Sequence, residues 1–204
     1  MNPKNTDIYY TIAGQKRCEI KVKSSKFIAT AIPAPDKVAA KESLGTIRTE
    51  FFNATHNCFA YRIGPDGMEF RSSDDGEPRG SAGKPILFAI KKYDLSDLIV
   101  IVTRFFGGTK LGVGGLARAY EDSTEAVLKI CKKKPVHITK SIKIFCTYED
   151  INAVKQLVLN HAVSSEESYH DAVEIIADIH SSEIDKFIAL LTEATAGRAG
   201  AVKL

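Results

Sequence analysis

Two polar segments hold most of the residues able to do chemistry. The first is Thr103-Arg-Phe-Phe-Gly-Gly-Thr-Lys-Leu-Gly-Val-Gly-Gly115, with Gly107, Gly108, Gly112, Gly114 and Gly115 inside nine residues. Glycine reaches positive φ and lets a backbone approach a ligand closely. A helix that starts at such a run offers unpaired N–H groups and the positive end of its dipole, a setting for an anion. Arg104, Lys110 and Arg118 add positive charge. A strand-to-helix crossover that needs glycine for packing alone is the other reading, and the sequence leaves both open. The run is not a Walker A loop, because no Gly-Lys-Ser/Thr follows a four-residue gap. Gly112-x-Gly114 begins a dinucleotide fingerprint, but Ala117 takes its third position. No acidic residue of clear role follows about 20 residues on, since Glu121, Asp122 and Glu125 fall inside the expected helix.

The second segment is Arg71-Ser-Ser-Asp-Asp-Gly-Glu-Pro-Arg-Gly-Ser-Ala-Gly-Lys84, which contributes Arg71, Arg79 and Lys84 as cations and Asp74, Asp75 and Glu77 as carboxylates. Three carboxylates so close could hold a divalent cation or serve as acid and base. Their spacing is not that of an EF-hand, and no nucleophile with a base partner stands beside them. An acidic Asp-Gly turn is the plainer account. His56 is a candidate general base, or a hydrogen-bonded histidine at a strand end. His56-Asn-Cys58 suggests zinc, yet no second close-spaced ligand pair completes a tetrahedral site. Cys18, Cys58, Cys131 and Cys146 contain no Cys-x-x-Cys pair and read as free thiols in a reducing compartment. No cofactor is expected.

The elements that must position these segments are legible from periodicity. Cys18–Ile32 reads as two short strands or one bent strand ending at Pro33. Asp36 is a candidate N-cap for a helix carrying Ala40, Leu44, Ile47 and Phe51 and running to about Phe52. Cys58–Ile63 and Met68–Arg71 form a hairpin about the turn Gly64-Pro-Asp-Gly67. Ser72–Gly83 is a loop, and Pro85–Tyr93 a short helix with proline in its first turn. Leu98–Phe106 is apolar throughout, as a strand covered on both faces must be. Phe105-Phe106 reads as core. A long helix then presents Val113, Leu116, Ala117, Tyr120, Val127, Leu128 and Cys131 on one face. Lys132-Lys-Lys-Pro135 ends that helix, its lysines complementing the helix dipole.

Beyond that point Ser141–Thr147 alternates as a strand, and Ile151, Val154, Leu157 and Val158 mark a helix. Strands follow around Ala162–Tyr169 and Ala172–Ile179. Ser182-x-x-Asp185 reads as the cap of a helix bearing Ile184, Phe187, Ile188 and Leu191. A short strand closes the chain after Gly197. The order β-α-β-β-α-β in about 70 residues is that of a ferredoxin-like split βαβ unit. The fold class is therefore α+β, with domains 1–134 and 135–204.

Charge divides the chain at the same place. Residues 1–134 carry 22 Lys and Arg against 15 Asp and Glu, whereas residues 135–204 carry 6 against 10. A polyanion would meet the first part. No apolar run approaches the roughly 18–20 residues needed to span a bilayer, and Met1-Asn-Pro-Lys-Asn-Thr-Asp7 lacks the pattern of a signal peptide. The chain is expected to be cytoplasmic, with no membrane partner.

Four segments in order closely resemble the IMPACT/YigZ family: His56-Asn-Cys-Phe-Ala-Tyr-Arg-Ile-Gly64, Arg71-Ser-Ser-Asp-Asp-Gly-Glu-Pro78, Ala82-Gly-Lys-Pro-Ile-Leu87 and Val102–Tyr120. Phe59 stands where the family usually has Trp, and Arg79 where it has a small Ser or Thr. The resemblance implies a first domain similar to the second domain of a small-subunit ribosomal protein. It implies a ferredoxin-like second domain similar to the last domain of elongation factor G, as in the bacterial two-domain members. It points to a non-catalytic, translation-linked regulator that binds RNA or the ribosome through the basic glycine-rich surface. An enzyme acting on a phosphorylated small molecule or nucleotide, and a protein-binding adaptor, are the alternatives.

Overall fold

Eight residues, Leu98-Ile-Val-Ile-Val-Thr-Arg-Phe105, explain how the first half of the chain is layered. Leu98, Val100 and Val102 belong to one buried cluster, while Ile99 and Ile101 belong to another. Side chains alternate across a strand, so a run apolar at every position must be covered on both faces.

The structure, a computed structural model, describes residues 7–169 and 173–204. In chain order the first elements are β1 (Ile8–Ile12), β2 (Lys16–Val22), β3 (Ser25–Pro33), α1 (Lys37–Glu50), β4 (His56–Ile63) and β5 (Glu69–Ser73). They are followed by α2 (Gly83–Lys92), β6 (Leu98–Phe105), α3 (Gly112–Lys129) and β7 (Lys133–His137). Five strands make an antiparallel sheet in the order β2-β3-β6-β4-β5, with β6 at its centre. Helix α1 covers one face through Ala40 and Ile47, against Phe59, Ile99 and Ile101. Helices α2 and α3 cover the other, packing Ile86, Ile90, Leu116, Tyr120 and Val127 on Phe27, Ala29, Cys58, Ala60 and Val100. Asp36 is the N-cap of α1, its carboxylate accepting from the Ala39 N–H at 2.8 Å.

Two expectations fail here. Lys133 and Lys134 are not at a helix end but in β7, which pairs with β1 as a separate two-stranded sheet. The Lys133 ammonium donates to the Tyr93 carbonyl at 2.8 Å. Only Lys129 is a basic residue of the last turn of α3. Phe106 is not core either: it is 46% exposed.

The chain divides into two compact units, one of Tyr9–Val136 and one of His137–Leu204 with the described start of the chain, Asp7 and Ile8. The second holds β8 (Thr139–Cys146), α4 (Ile151–His161), β9 (Ala162–Tyr169), β10 (Val173–His180), α5 (Ile184–Ala194) and β11 (Gly200–Lys203). Its antiparallel sheet runs β11-β8-β10-β9. Alternate residues Ile142, Ile144, Val173, Ile175 and Ala177 bury against Val154, Val158, Ile184, Phe187 and Leu191 of the helices. Of the strand expected over Ala172–Ile179, Ala172 lies outside the described residues. The expected Ser182 cap is absent: Glu183 is the N-cap of α5 and makes no side-chain cap bond. The Ser182 hydroxyl and N–H turn instead to the Asp7 carboxylate. Among the described residues no helix is long and apolar enough to cross a membrane.

Candidate functional site

The polar loop between β5 and α2 is organised around its own carboxylates. Asp74 accepts hydrogen bonds from the backbone N–H groups of Gly80 at 2.8 Å, Ala82 at 3.0 Å and Gly83 at 2.8 Å. It thereby satisfies the free amides that begin α2, whose own N-cap residue Ala82 supplies no side-chain bond. Partial desolvation pushes the Asp74 carboxyl up, but those three N–H groups and the nearby Lys84 charge outweigh it and hold it below the usual carboxylate range. Gly83 has no alternative, since a Cβ there would stand 2.7 Å from the Ser73 backbone nitrogen.

Asp75 is equally engaged. Its Oδ2 accepts from the Asn57 N–H at 2.7 Å and its Oδ1 from the Arg48 guanidinium at 2.5 Å. Its carbonyl oxygen lies 2.8 Å from Nδ1 of His56, which fixes the ring at the start of β4. His56 is thus a hydrogen-bonded strand-end histidine, with Nε2 3.9 Å from Oε1 of Glu77. Asn57 next to it accepts from the Thr103 hydroxyl at 2.7 Å, both residues being buried.

Glu77 is the one carboxylate of the three that is buried, with 8% of the residue exposed. Its Oε1 accepts from Arg104 Nη1 at 2.6 Å and from the Tyr120 hydroxyl at 2.8 Å. Burial raises the Tyr120 phenol and pushes the Cys58 thiol up to about 12, so both stay protonated. The Cys58 Sγ lies 3.0 Å from the Asp74 carbonyl and 3.3 Å from the Tyr120 hydroxyl. Arg104 itself is 5% exposed and lies between two rings, 5.4 Å from the centroids of Phe27 and of Phe106. Its Nη2 reaches the Ser25 hydroxyl at 3.4 Å, and its buried Nε has no partner.

The glycine-rich crossover serves two purposes at its two ends. Gly107 is held by packing, because a Cβ there would stand 1.8 Å from the Ser24 carbonyl oxygen. Gly108 and Gly112 take positive φ of 86° and 73°. Gly112 and Gly114, in the first turn of α3, are exposed and have open space where a side chain would project. The N-cap residue Leu111 makes no side-chain cap bond, and the first turn contains no acidic residue. The leading N–H groups of α3 therefore receive no side-chain cap from Leu111, and the helix dipole lies behind them.

A cleft of about 380 Å³ opens at this helix start, lined by Glu77, Pro78, Arg104, Phe106, Lys110, Leu111, Gly112, Val113 and Leu116. Of the residues singled out in the sequence, Glu77, Arg104, Lys110 and Gly112 thus meet in one place. Gly114, Gly115 and the exposed Arg118 continue along α3. Arg79 and Lys84 are exposed on the polar loop and at the start of α2. Arg71 is not with them: it lies on the α1 face of the sheet, sharing a hollow with Lys37, Lys41, Phe59 and Tyr61. Among the described residues no group of three His, Cys, Asp or Glu side chains is placed to hold a metal ion. The sequence did not assign Tyr120, Ser25 and Phe106 to the site. Tyr120 gave the only signal, since a tyrosine on an apolar helix face needs a buried partner for its hydroxyl.

An α+β protein of two antiparallel-sheet units, with an open helix start over a buried Arg–Glu pair, defines the class. Residues 23–128 match the Impact N-terminal domain, and residues 144–198 match a domain of unknown function (DUF1949). The chain is 34% identical over 193 residues to the IMPACT family member YvyE of Bacillus subtilis, covering 93% of this chain and 88% of that relative. It is 31% identical over 140 residues to the IMPACT family member YigZ of Escherichia coli, covering 67% and 68%. A solved structure described as a hypothetical protein has the same fold, with a TM-score of 0.70 at 24% identity over 97% of this chain and 98% of the other. The chain belongs to the IMPACT family.

Proposed function

We propose that this protein is a non-catalytic, translation-linked regulator that binds RNA or the ribosome through the basic glycine-rich surface of its first domain. The observation that carries the reading is the uncapped start of α3, with no acidic residue in its first turn, with Lys110 beside it and with Arg118 exposed further along the helix. Among the described residues neither cation has an ion-pair partner, so both charges are available to phosphates. Arg79 and Lys84, also without ion pairs, extend the positive surface. On this reading the functional domains are residues 1–134 and 135–204. Their folds are akin to the second domain of a small-subunit ribosomal protein and the last domain of elongation factor G, and the protein works in the cytoplasm. The enzyme alternative is disfavoured because Asp74, Asp75 and Glu77 are each engaged by the protein's own donors. Association with ribosomes or ribosomal RNA is measured by co-sedimentation across a salt series. Binding that falls steeply with salt is expected, and Lys110→Ala with Arg118→Ala lowers the slope by about 2. Absence of association at low salt defeats the reading.

A further inference from the structure

Opposite the face that α2 and α3 cover, the first sheet keeps a hollow. Helix α1 packs on β6 and β4 and leaves the edge strand β5 largely uncovered. A space of about 180 Å³ remains there between the helix and the sheet. Antiparallel register sets its base: Ile99 on β6 stands opposite Tyr61 on β4, and Tyr61 stands opposite Arg71 on β5. Directly opposed side chains lie on one face of a sheet, about 5 Å apart at Cβ. One row across three strands thus passes from aliphatic to aromatic to cationic. Ala40 and Leu44 of α1 wall the hollow, and Phe59, 6% exposed, adds a second ring to its base.

The charges at its rim are not matched within the fold. Lys37 is paired with Glu69. Arg71 and Lys41, both exposed, have no ion-pair or hydrogen-bond partner among the described residues, and neither has the Tyr61 hydroxyl. Two positive charges are therefore left open beside an apolar base. A planar guanidinium pairs with a carboxylate through two parallel N–H···O bonds. The rings of Phe59 and Tyr61 suit a flat aromatic body. Pockets that take drug-sized molecules run to roughly 300–1,000 Å³. This smaller space suits one ring with its charged group and is small for a nucleotide.

We infer that this hollow binds a small monocyclic aromatic carboxylate, with its ring on Phe59 and Tyr61 and its carboxylate between Arg71 and Lys41. The site lies across the sheet from α3 and does not depend on RNA binding.

Benzoate is the probe, added to the full chain and followed by calorimetry and by backbone amide shifts. Saturable binding at one site is expected, with shifts at Lys41, Tyr61 and Arg71. Benzamide keeps the ring without the charge, and acetate keeps the charge without the ring. Each is expected to bind at least about tenfold more weakly than benzoate. Arg71→Gln and Lys41→Gln, at exposed positions, are expected to fold as the parent does and to weaken benzoate binding about tenfold each. Lys186→Gln, at an exposed cation of the second unit, is expected to leave binding unchanged. Acetate as tight as benzoate reduces the hollow to a bare anion site and overturns the inference, as does benzamide as tight as benzoate. Benzoate binding that Arg71→Gln and Lys41→Gln leave intact, or no saturable binding at all, overturns it too.

Discussion

The polar loop Asp74–Gly83 and the crossover Gly107–Gly115 are equally polar in sequence and opposite in structure. In the loop every carboxylate has a partner from the protein itself: Asp74 on three amides, Asp75 on Asn57 and Arg48, and Glu77 on Arg104 and Tyr120. The crossover ends in a helix start with no side-chain cap and with free space over Gly112 and Gly114. A dense cluster of charge can therefore be scaffold, and a run of small residues can leave a helix start open. What separates them is whether donors and acceptors are already matched inside the fold.

The largest expected effect lies where the two regions touch. Arg104→Ala leaves Glu77 buried without its cation, and removal of one partner from a buried pair costs about 3–5 kcal/mol. A fall of that size should appear in urea denaturation. The burial of Arg104 makes Arg104→Ala a test of stability and not of binding alone. A loss below about 1 kcal/mol would mean that the Arg104–Glu77 pair is not the scaffold described.

Gly107 and Gly114 separate the two purposes within the crossover itself. Gly107→Ala forces a Cβ into the Ser24 carbonyl and should destabilise by about 1–3 kcal/mol. Gly114→Ala meets open space in a helix and should stabilise by about 0.5–1 kcal/mol. Thermal melts of the two variants should move in opposite directions. Movement in the same direction would erase the distinction between a packed end and an open end.

Asp74→Ala removes the acceptor that caps α2, a loss of about 1–2 kcal/mol at neutral pH. The sign of its pH dependence follows from a folded carboxyl held below its unfolded value of about 3.9. The contribution is complete above that unfolded value and is lost as pH falls through the lower folded one. The stability gap between parent and variant should be constant from pH 7 to about pH 5 and close below about pH 4. A gap independent of pH down to acid unfolding would show that the charge of Asp74 does not hold the loop.

The fold was largely legible because its periods are long. The Leu98–Phe106 run could only be a strand covered on both faces, and Asp36 announced α1 by the geometry of a capping carboxylate. The pairing of β1 with β7 was hidden, since Lys132-Lys-Lys-Pro135 has the composition of a helix end and its partner Ile8–Ile12 lies more than 100 residues away. Ser182 failed as a cap for a similar reason, because its hydroxyl is captured by Asp7 from the far end of the chain. The four family segments include the residues Glu77, Arg104, Lys110 and Gly112 that line the cleft at the start of α3. They did not reveal that Asp74 and Asp75 build the loop, that Arg71 lies on the α1 face, or that Phe106 is exposed. Those facts depend on which face of β5 and which end of β6 each residue occupies.

The difference between the two regions is tested most directly by backbone amide shifts during titration with a short single-stranded oligoribonucleotide. The amides of Val113, Gly114, Gly115 and Leu116 should move together and saturate. Those of Gly80, Ala82 and Gly83, already donated to Asp74, should stay in place. Movement confined to the Asp74 loop, or an unperturbed first turn of α3 under saturating RNA, would contradict the assignment of the crossover as the site.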